Sequence, residues 1–583
     1  MADMIRFLST WQPDLAQLRG VFTPEEQATL DAARTAVDSA HRRVAYCVWE
    51  NPFARAGGIF AVATHLPPAL RAAGDDVVLL TPLHRNLATT PDYPSLHYLG
   101  EVSFEYSGHD HRIELFEHRD GLDNRWILMQ GWGVFDAPGG PDRRNPYAHA
   151  HSWLLLRDAL FASQAVPHVL RFLGMSENVI VHSQDWQFAP TALTVKHAIL
   201  AGVLDSAATV LTSHNPYDHP LPDSNLAWVT DRLGAHRWPL GHETVYQRMI
   251  PLTDAPLSTV SPGFAEELVS DPLQTDLLAS HLQKVFRAHG VVGVDNPLFG
   301  AARPAFSQEA VDAFASGSSR GLIEEKAAKR EAMLEVLAAY EDPRILGKLD
   351  GNDGRPLTEL PDEVPVFLMF GRLDPAQKGF DLLARAIEGF RPGEAKFILT
   401  PNVVGDAGPW LEDLRLLAEK RHGDVAVYPF RVEKGYMETM AGASFAVMPS
   451  LYEPFGAATE AYLGGTPVVA RATGGLTGQV VDFRTDRKNG TGLLFREKLP
   501  LGSSWPTIIE APNPQARVGI PLYAMIAEAL FDALKEAAGV WRENKRGYAG
   551  MLANLYSKAA SFSPGKAAAG YRALYETATR PRG

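Results

Sequence analysis

Two carboxylates, a pair of cations and three glycine-bearing turns are spaced along this chain in a way that suits a ligand carrying sugar hydroxyls and phosphates. In SLYEPFGAATEAYLGGTPVVARATGGL (450–476), Glu453 and Gly456 follow the apolar run SFAVMPS, and Glu460 follows on the same predicted helix. Helical spacing would set Glu460 two turns beyond Glu453, on nearly the same face. A carboxylate beside open backbone amides can hold sugar hydroxyls. Thr473-Gly474-Gly475, after the next apolar run, offers a second amide-rich turn. A solvated helix face would account for Glu460 equally well.

FGRLDPAQKGFDLL (370–383) sets Arg372 and Lys378 around a turn that contains Gly371 and Gly379. Two cations so placed can converge on a diphosphate, or can simply be solvated. FARAGGIF (53–60) puts Arg55 beside Gly57 and Gly58, and glycines ahead of a helix let backbone amides approach a phosphate. HSQDWQ (182–187) and SHN (213–215) end apolar runs with His182, Gln184, Asp185, His214 and Asn215. A histidine there is more commonly a hydrogen-bonded core residue, and Asp185 also suits the cap of a following helix.

These residues need elements to carry them. Short apolar runs alternate with helical patterns: RVAYCVWE (43–50), DVVLLTPLH (76–84), NVIVHSQDW (178–186) and ATVLTSHN (208–215) form a first series. VPVFLMFGR (364–372), AKFILTP (395–401), DVAVYPF (424–430), SFAVMPS (444–450) and GTPVVAR (465–471) form a second. Such alternation predicts parallel βαβ units, and in parallel sheets ligands gather at the C-terminal strand ends. The chemically interesting residues fall at those ends. Two α/β doubly wound, Rossmann-like domains facing across a cleft are therefore expected. The Pro-rich stretch 499–519 reads as a surface insertion, and SFSPGKAAAGYRALYETATR as a capped terminal helix.

The chain has 583 residues, too many for one core. A net charge of −13 argues against nucleic acid as a partner, because that surface needs a broad basic footprint. The lone Cys47 excludes an intrachain disulfide and suits a reducing compartment. No Asp-x-Asp stands at a strand end, so no metal is expected. With no apolar leader at the N-terminus and no run near the ~20 residues that span a bilayer, a cytoplasmic protein without a membrane span is expected.

In order, RAGG, VHSQDWQ, LTSHN, STVSPGFAEEL, GRLDPAQKG, EPFG, GGTPVV, TGGL and the closing SFSPGKAAAGYRALY resemble the retaining GT-B glycosyltransferases. Bacterial glycogen and starch synthases are the nearest group. The resemblance implies that Arg372 and Lys378 neutralise a donor diphosphate, with Gly371 beside them. It implies that Glu453 holds the transferred sugar, with Gly456, Glu460, Thr473, Gly474 and Gly475 around donor and ribose. Arg55, Gly57 and Gly58 match a Lys-x-Gly-Gly loop closing over the donor. Gln184 stands where the family has a second histidine, and Arg431 where it has a base-stacking tyrosine. His182, Asp185, His214 and Asn215 fall on the sugar and acceptor side.

The implied division is an acceptor-side domain at 1–297, a nucleotide-sugar domain at 298–563 and a terminal helix at 564–583 packing back toward the first. Insertions are expected near 300–362 and 497–520. The implied reaction is retaining transfer of a hexose, glucose first, from ADP-glucose or UDP-glucose to a glucan, with no cofactor. A small hydroxyl acceptor, or a sensor without turnover, are the alternatives. Two departures stand out: on the acceptor side Phe60 and Ala61 stand where an acidic segment is usual, and in the donor-binding half one residue is missing between Glu453 and Glu460.

Overall fold

The computed structural model describes residues 1–13, 20–84, 96–135, 146–147, 153–231, 243–299, 302–351, 354–403, 408–430, 432, 434–498 and 504–581. The chain forms two units. One comprises Met1–Val269, Leu278–Gly300 and Ser563–Gly583; the other comprises Ser270–Leu277 and Ala301–Phe562.

The first unit is built on β1 (Arg43–Cys47), β2 (Asp76–Pro82), β3 (His97–Tyr106), β4 (His109–Arg119), β5 (Arg125–Gly131), β6 (Val179–Gln184), β7 (Ala207–Ser213), β8 (Leu257–Thr259) and β9 (Val291–Gly293). Their order is β3-β4-β5-β2-β1-β6-β7-β8-β9. From β5 to β9 every neighbouring pair is parallel. The central strands are buried over nearly their whole length, as expected where helices cover both faces; α1 (Gly58–Ala72) and α2 (Trp153–Phe172) are two of the helices of this unit.

An antiparallel extension, β3–β4–β5, widens one edge of this sheet, and the βαβ pattern does not predict it. Its strands alternate polar and apolar residues, and its turn is Ser107-Gly108, both at positive φ (54° and 73°). That two-residue turn matches the twist of a hairpin.

The C-terminal helix Pro564–Thr579 also belongs to this unit, capped by Ser563, whose hydroxyl accepts the Lys566 amide. Its Tyr571 and Tyr575 are fully buried in the core with Tyr46, Val62 and Leu66.

The second unit contains β10 (Leu346–Gly347), β11 (Val366–Arg372), β12 (Lys396–Asn402), β13 (Val425–Val427), β14 (Phe445–Met448), β15 (Val468–Arg471) and β16 (Gly492–Phe495). The order is β10-β13-β12-β11-β14-β15-β16. Counted from β11, the six parallel strands run 3-2-1-4-5-6, the doubly wound order. Its helices include α3 (Arg320–Ala339), α4 (Phe380–Ile387), α5 (Ala458–Gly464) and α6 (Gly475–Gln479).

The described part of the Pro-rich stretch is anchored by buried side chains. Trp505, Ile508 and Arg517 are buried. Arg517 pairs with Asp381 at 3.0 Å, donates to the Pro375 carbonyl at 2.9 Å and lies over Trp410. A guanidinium with this many partners ties the segment to α4 and to the loop after β11.

Candidate active site

In a doubly wound sheet the crevice opens where the strand order reverses, beyond the C-terminal strand ends. In the second unit that place lies between β11 and β14. Arg372 ends β11, and Glu453 follows β14 by a short loop. Gly379 makes the juxtaposition possible. Its φ is +74°, and a Cβ there would sit 2.5 Å from the Pro449 carbonyl oxygen. The backbone of the cation loop thus touches the end of the β14 segment, and only glycine permits it.

Lys378 and Glu453 are brought together: Nζ lies 2.6 Å from Oε2, and the Ser450 hydroxyl donates to the same oxygen at 2.9 Å. Oε1 takes no hydrogen bond from the described side chains. The pair is mostly buried. Arg372 is half exposed; its Nη2 donates to the Gln377 side chain at 3.0 Å and lies 3.7 Å from Asp374. Gln377 in turn accepts the Leu451 amide through its carbonyl at 2.7 Å. The Glu453 loop is fixed from behind by Arg471, which donates to the Leu451 carbonyl at 2.7 Å and is itself paired with the buried Glu497.

Three expectations for this half change. Glu453 and Glu460 do not share a helix: α5 begins at Ala458, and Glu460 stands exposed in its first turn. The intervening Pro454 and glycine-bearing loop prevent an earlier start. The turn at 473–475 is not a bare set of amides. Gly475 donates to the Glu453 carbonyl at 2.9 Å, while Leu476 and Thr477 donate to Thr473 and Gly474. This turn braces Glu453 from the other side. Gly456 is a packing glycine, since a Cβ there would fall 2.3 Å from Leu476, and its carbonyl accepts from Gln479.

Thr473 is buried and Gly474 has φ +46°. Gly371, at φ +134°, has open space where a Cβ would stand. Arg431 lies outside the described residues.

In the first unit the reversal lies between β1 and β6, and a second polar cluster gathers there. Glu50, three residues beyond β1, is buried. Its Oε2 accepts the amides of Ala56 (3.1 Å) and Gly57 (3.2 Å), and its Oε1 accepts the Tyr147 hydroxyl at 3.1 Å. Burial raises its pKa, and these donors oppose the rise. Asp185 follows β6 in a left-handed conformation (φ 56°) and accepts the His214 amide at 2.6 Å. Burial, aided by the charge of Glu50, lifts its pKa to about 7. Gln184 Oε1 meets His214 Nε2 at 2.8 Å, and burial depresses His214 to about 3. Gln184 Nε2 is buried with no hydrogen-bond partner among the described residues. Asn215 accepts the Tyr217 amide.

This half also brings corrections. His182 belongs to the core: its ring nitrogens meet Tyr575 OH at 2.9 Å and Thr212 Oγ1 at 2.7 Å. Burial holds it neutral, with a pKa of about 3. Asp185 does not cap the helix that follows; its carboxylate serves His214. The amides of Ala56 and Gly57 are taken by Glu50 and do not form an outward phosphate cradle. Arg55 is exposed and lies over Phe60, 5.3 Å from the ring centre. Glu50 is the residue that motif reading missed. The available signal was an acidic residue that ends the apolar run VAYCVW at a C-terminal strand edge. Among the described residues, no group of three or more His, Cys, Asp or Glu side chains is arranged to hold a metal ion.

Comparison with known proteins decides the family. The starch synthase catalytic domain profile matches residues 43–286, and the glycosyl transferases group 1 profile matches 354–500. A glycogen synthase of Myxococcus xanthus is 30% identical over 460 residues, covering 76% of this chain and 86% of that protein. The chain belongs to the glycogen synthase family. A second glycogen synthase, from Anaeromyxobacter, is 28% identical over 551 residues, covering 91% of this chain and 98% of its own. The catalytic domain of starch synthase IV from Arabidopsis thaliana, a structure with ADP and acarbose, superposes with a TM-score of 0.68 at 19% identity. That match covers 93% of this chain and 100% of the plant domain. As a glycogen synthase family member the chain is a GT-B glycosyltransferase with two α/β units. No helix among the described residues is long and apolar enough to cross a membrane.

Proposed function

We propose that this protein lengthens an α-glucan by retaining transfer of glucose from a nucleoside-diphosphate glucose. The observation that carries the reading is the Lys378–Glu453 pair beside Arg372 at the reversal of the second sheet. Breaking the glycosidic bond puts negative charge on the departing diphosphate and positive charge on the sugar. Fixed cations and a fixed carboxylate match both changes, and preorganised charge of this kind is commonly the largest catalytic term.

Lys378 has three N–H donors. One engages Glu453, leaving two for diphosphate oxygens, and Arg372 adds a planar donor set. Glu453 has Oε1 available for a hexose hydroxyl, while Lys378 and Ser450 hold the carboxylate in place. In a front-face reaction the departing phosphate oxygen takes the acceptor proton, so no protein nucleophile is required. Holding the acceptor oxygen on that face supplies the rest by proximity. In the first unit, the Nε2 of Gln184 is a buried donor with no hydrogen-bond partner among the described residues.

ADP-glucose is the first donor to try, supported by the ADP in the plant relative's structure. The test is a panel of ADP-, UDP- and GDP-glucose with glycogen, scored by diphosphate release and by chain length of labelled product. Release with longer glucan supports the proposal. Release onto a small hydroxyl acceptor alone would move the acceptor assignment, and no release with any donor would refute the reading.

A further inference from the structure

Arg471 and Glu497 form a buried ion pair in the second unit. Arg471 ends β15, and Glu497 follows β16. They meet as a fork, with Nε 2.9 Å from Oε2 and Nη2 2.5 Å from Oε1. Trp505 lies against the guanidinium, its ring centre 5.5 Å away, and Arg496 approaches Glu497 at 3.3 Å. The guanidinium is thus fixed along one edge and on one face. Its remaining nitrogen, Nη1, donates to the Leu451 carbonyl at 2.7 Å.

The sheet itself makes little demand for this pair. β15 has parallel partners on both sides, and a buried ion pair commonly adds no more stability than well-packed apolar side chains. What the pair serves is a loop. Leu451 lies past the end of β14, where no strand ladder takes its carbonyl. Its amide donates to the Gln377 carbonyl at 2.7 Å, so the cation loop grips one main-chain group of Leu451 and Arg471 grips the other. Glu453 comes next but one in the chain. Its own carbonyl takes the Gly475 amide at 2.9 Å, and the turn that carries Gly475 begins at Arg471, whose carbonyl accepts the Thr473 amide at 2.8 Å. One arginine therefore anchors the Glu453 loop twice, by its side chain at Leu451 and by its main chain through the 473–475 turn.

We propose, resting on the glycosyltransferase reading, that Arg471, held by Glu497, is a positioning residue for Glu453. It touches no substrate. By fixing Leu451 it sets where the Glu453 carboxylate meets the hexose, while Arg372 and Lys378 meet the diphosphate without its help.

The experiment uses the full chain and two ligands that differ by the hexose: ADP-glucose and ADP, or the UDP or GDP pair if that donor is the one turned over. Arg471→Met/Glu497→Leu removes the pair without stranding a charge, since Arg496 keeps its contact with Asp271. Its kcat is expected to fall about 20-fold, with affinity for the free diphosphate within about 3-fold of wild type. Arg471→Lys keeps a cation but loses the fork, and its kcat should fall about 5-fold. In a Glu453→Gln background the double change should lower kcat by less than about 3-fold more, because both act on one carboxylate. Amide exchange at residues 450–455 should quicken about 10-fold or more in both Arg471 variants, while β12 is unchanged.

Wild-type kcat in a folded variant, a loss of diphosphate affinity as large as the loss of turnover, full multiplication of the effects in the Glu453→Gln background, or unaltered exchange at 450–455 would each overturn the proposal. If the double variant does not fold, Arg471→Lys decides by the same readouts. A wild-type chain that turns over no donor would refute the proposed reaction; an active wild type with an equally active Arg471→Lys would refute only the role of Arg471.

Discussion

The two units place carboxylates at the same topological position, the reversal of a doubly wound sheet, yet use them in opposite ways. In the second unit Glu453 keeps one oxygen open and faces Lys378, while the half-exposed Arg372 lies nearby. In the first unit Glu50 has three donors from the chain's own loops, and Asp185 is absorbed by the His214 amide. A charge kept partly unsatisfied is available to a ligand; one that is buried and fully bonded shapes the surface around it. The second unit thus holds chemical groups ready, and the first holds geometry ready.

This contrast is broken most directly at Glu453. Glu453→Gln keeps the shape but removes the charge, and kcat should fall at least ~100-fold, about 3 kcal/mol in transition-state stabilisation. A variant within 3-fold of wild type would remove the distinction.

His182 sharpens the other side. His182→Leu should lower stability by about 1–3 kcal/mol, because it strands the Tyr575 hydroxyl and leaves Thr212 with Ser258 as its remaining side-chain partner. Donor KM and kcat, taken well below the melting temperature, should stay near wild type. A selective loss of kcat in a well-folded variant would return His182 to the chemistry.

The smallest expected effect is a slope. Asp185 is raised to about 7 in the folded chain, against an ordinary value near 3.9. The folded state therefore binds this proton more tightly than the unfolded state. The associated stability is fully present below about pH 4 and is lost as pH rises through about 7. Asp185→Asn should remove that component, so the difference in melting temperature between variant and wild type should move in the variant's favour from pH 5 to pH 8. A constant difference would contradict the burial argument.

The parallel strands were legible because strands covered on both faces are apolar throughout, and the ligand-bearing loops because polar residues interrupt those runs at one end. Arg372, Lys378 and Glu453 stood out on that ground, and the contact between Lys378 and Glu453 follows from Gly379 closing on Pro449. Other features depend on long-range partners that local patterns do not reveal. Ser107-Gly108 carried a hairpin signal, but its alternating strands lie outside the βαβ rhythm. Residues 504–517 lack periodicity because Arg517 and Trp505 are buried singly, each by its own contacts. Glu50 has no motif of its own, since its function arises when the chain turns back on it. His182 looked like chemistry because a strand-end histidine can be either core or site, and its pairing with Tyr575 spans 393 positions of sequence.

The most direct measurement is single-turnover diphosphate release from ADP-glucose with glycogen by the wild-type chain and Lys378→Ala, both at saturating donor. The account predicts release by the wild type and a rate at least ~100-fold slower without the Lys378 ammonium. Equal rates in the two proteins would contradict it.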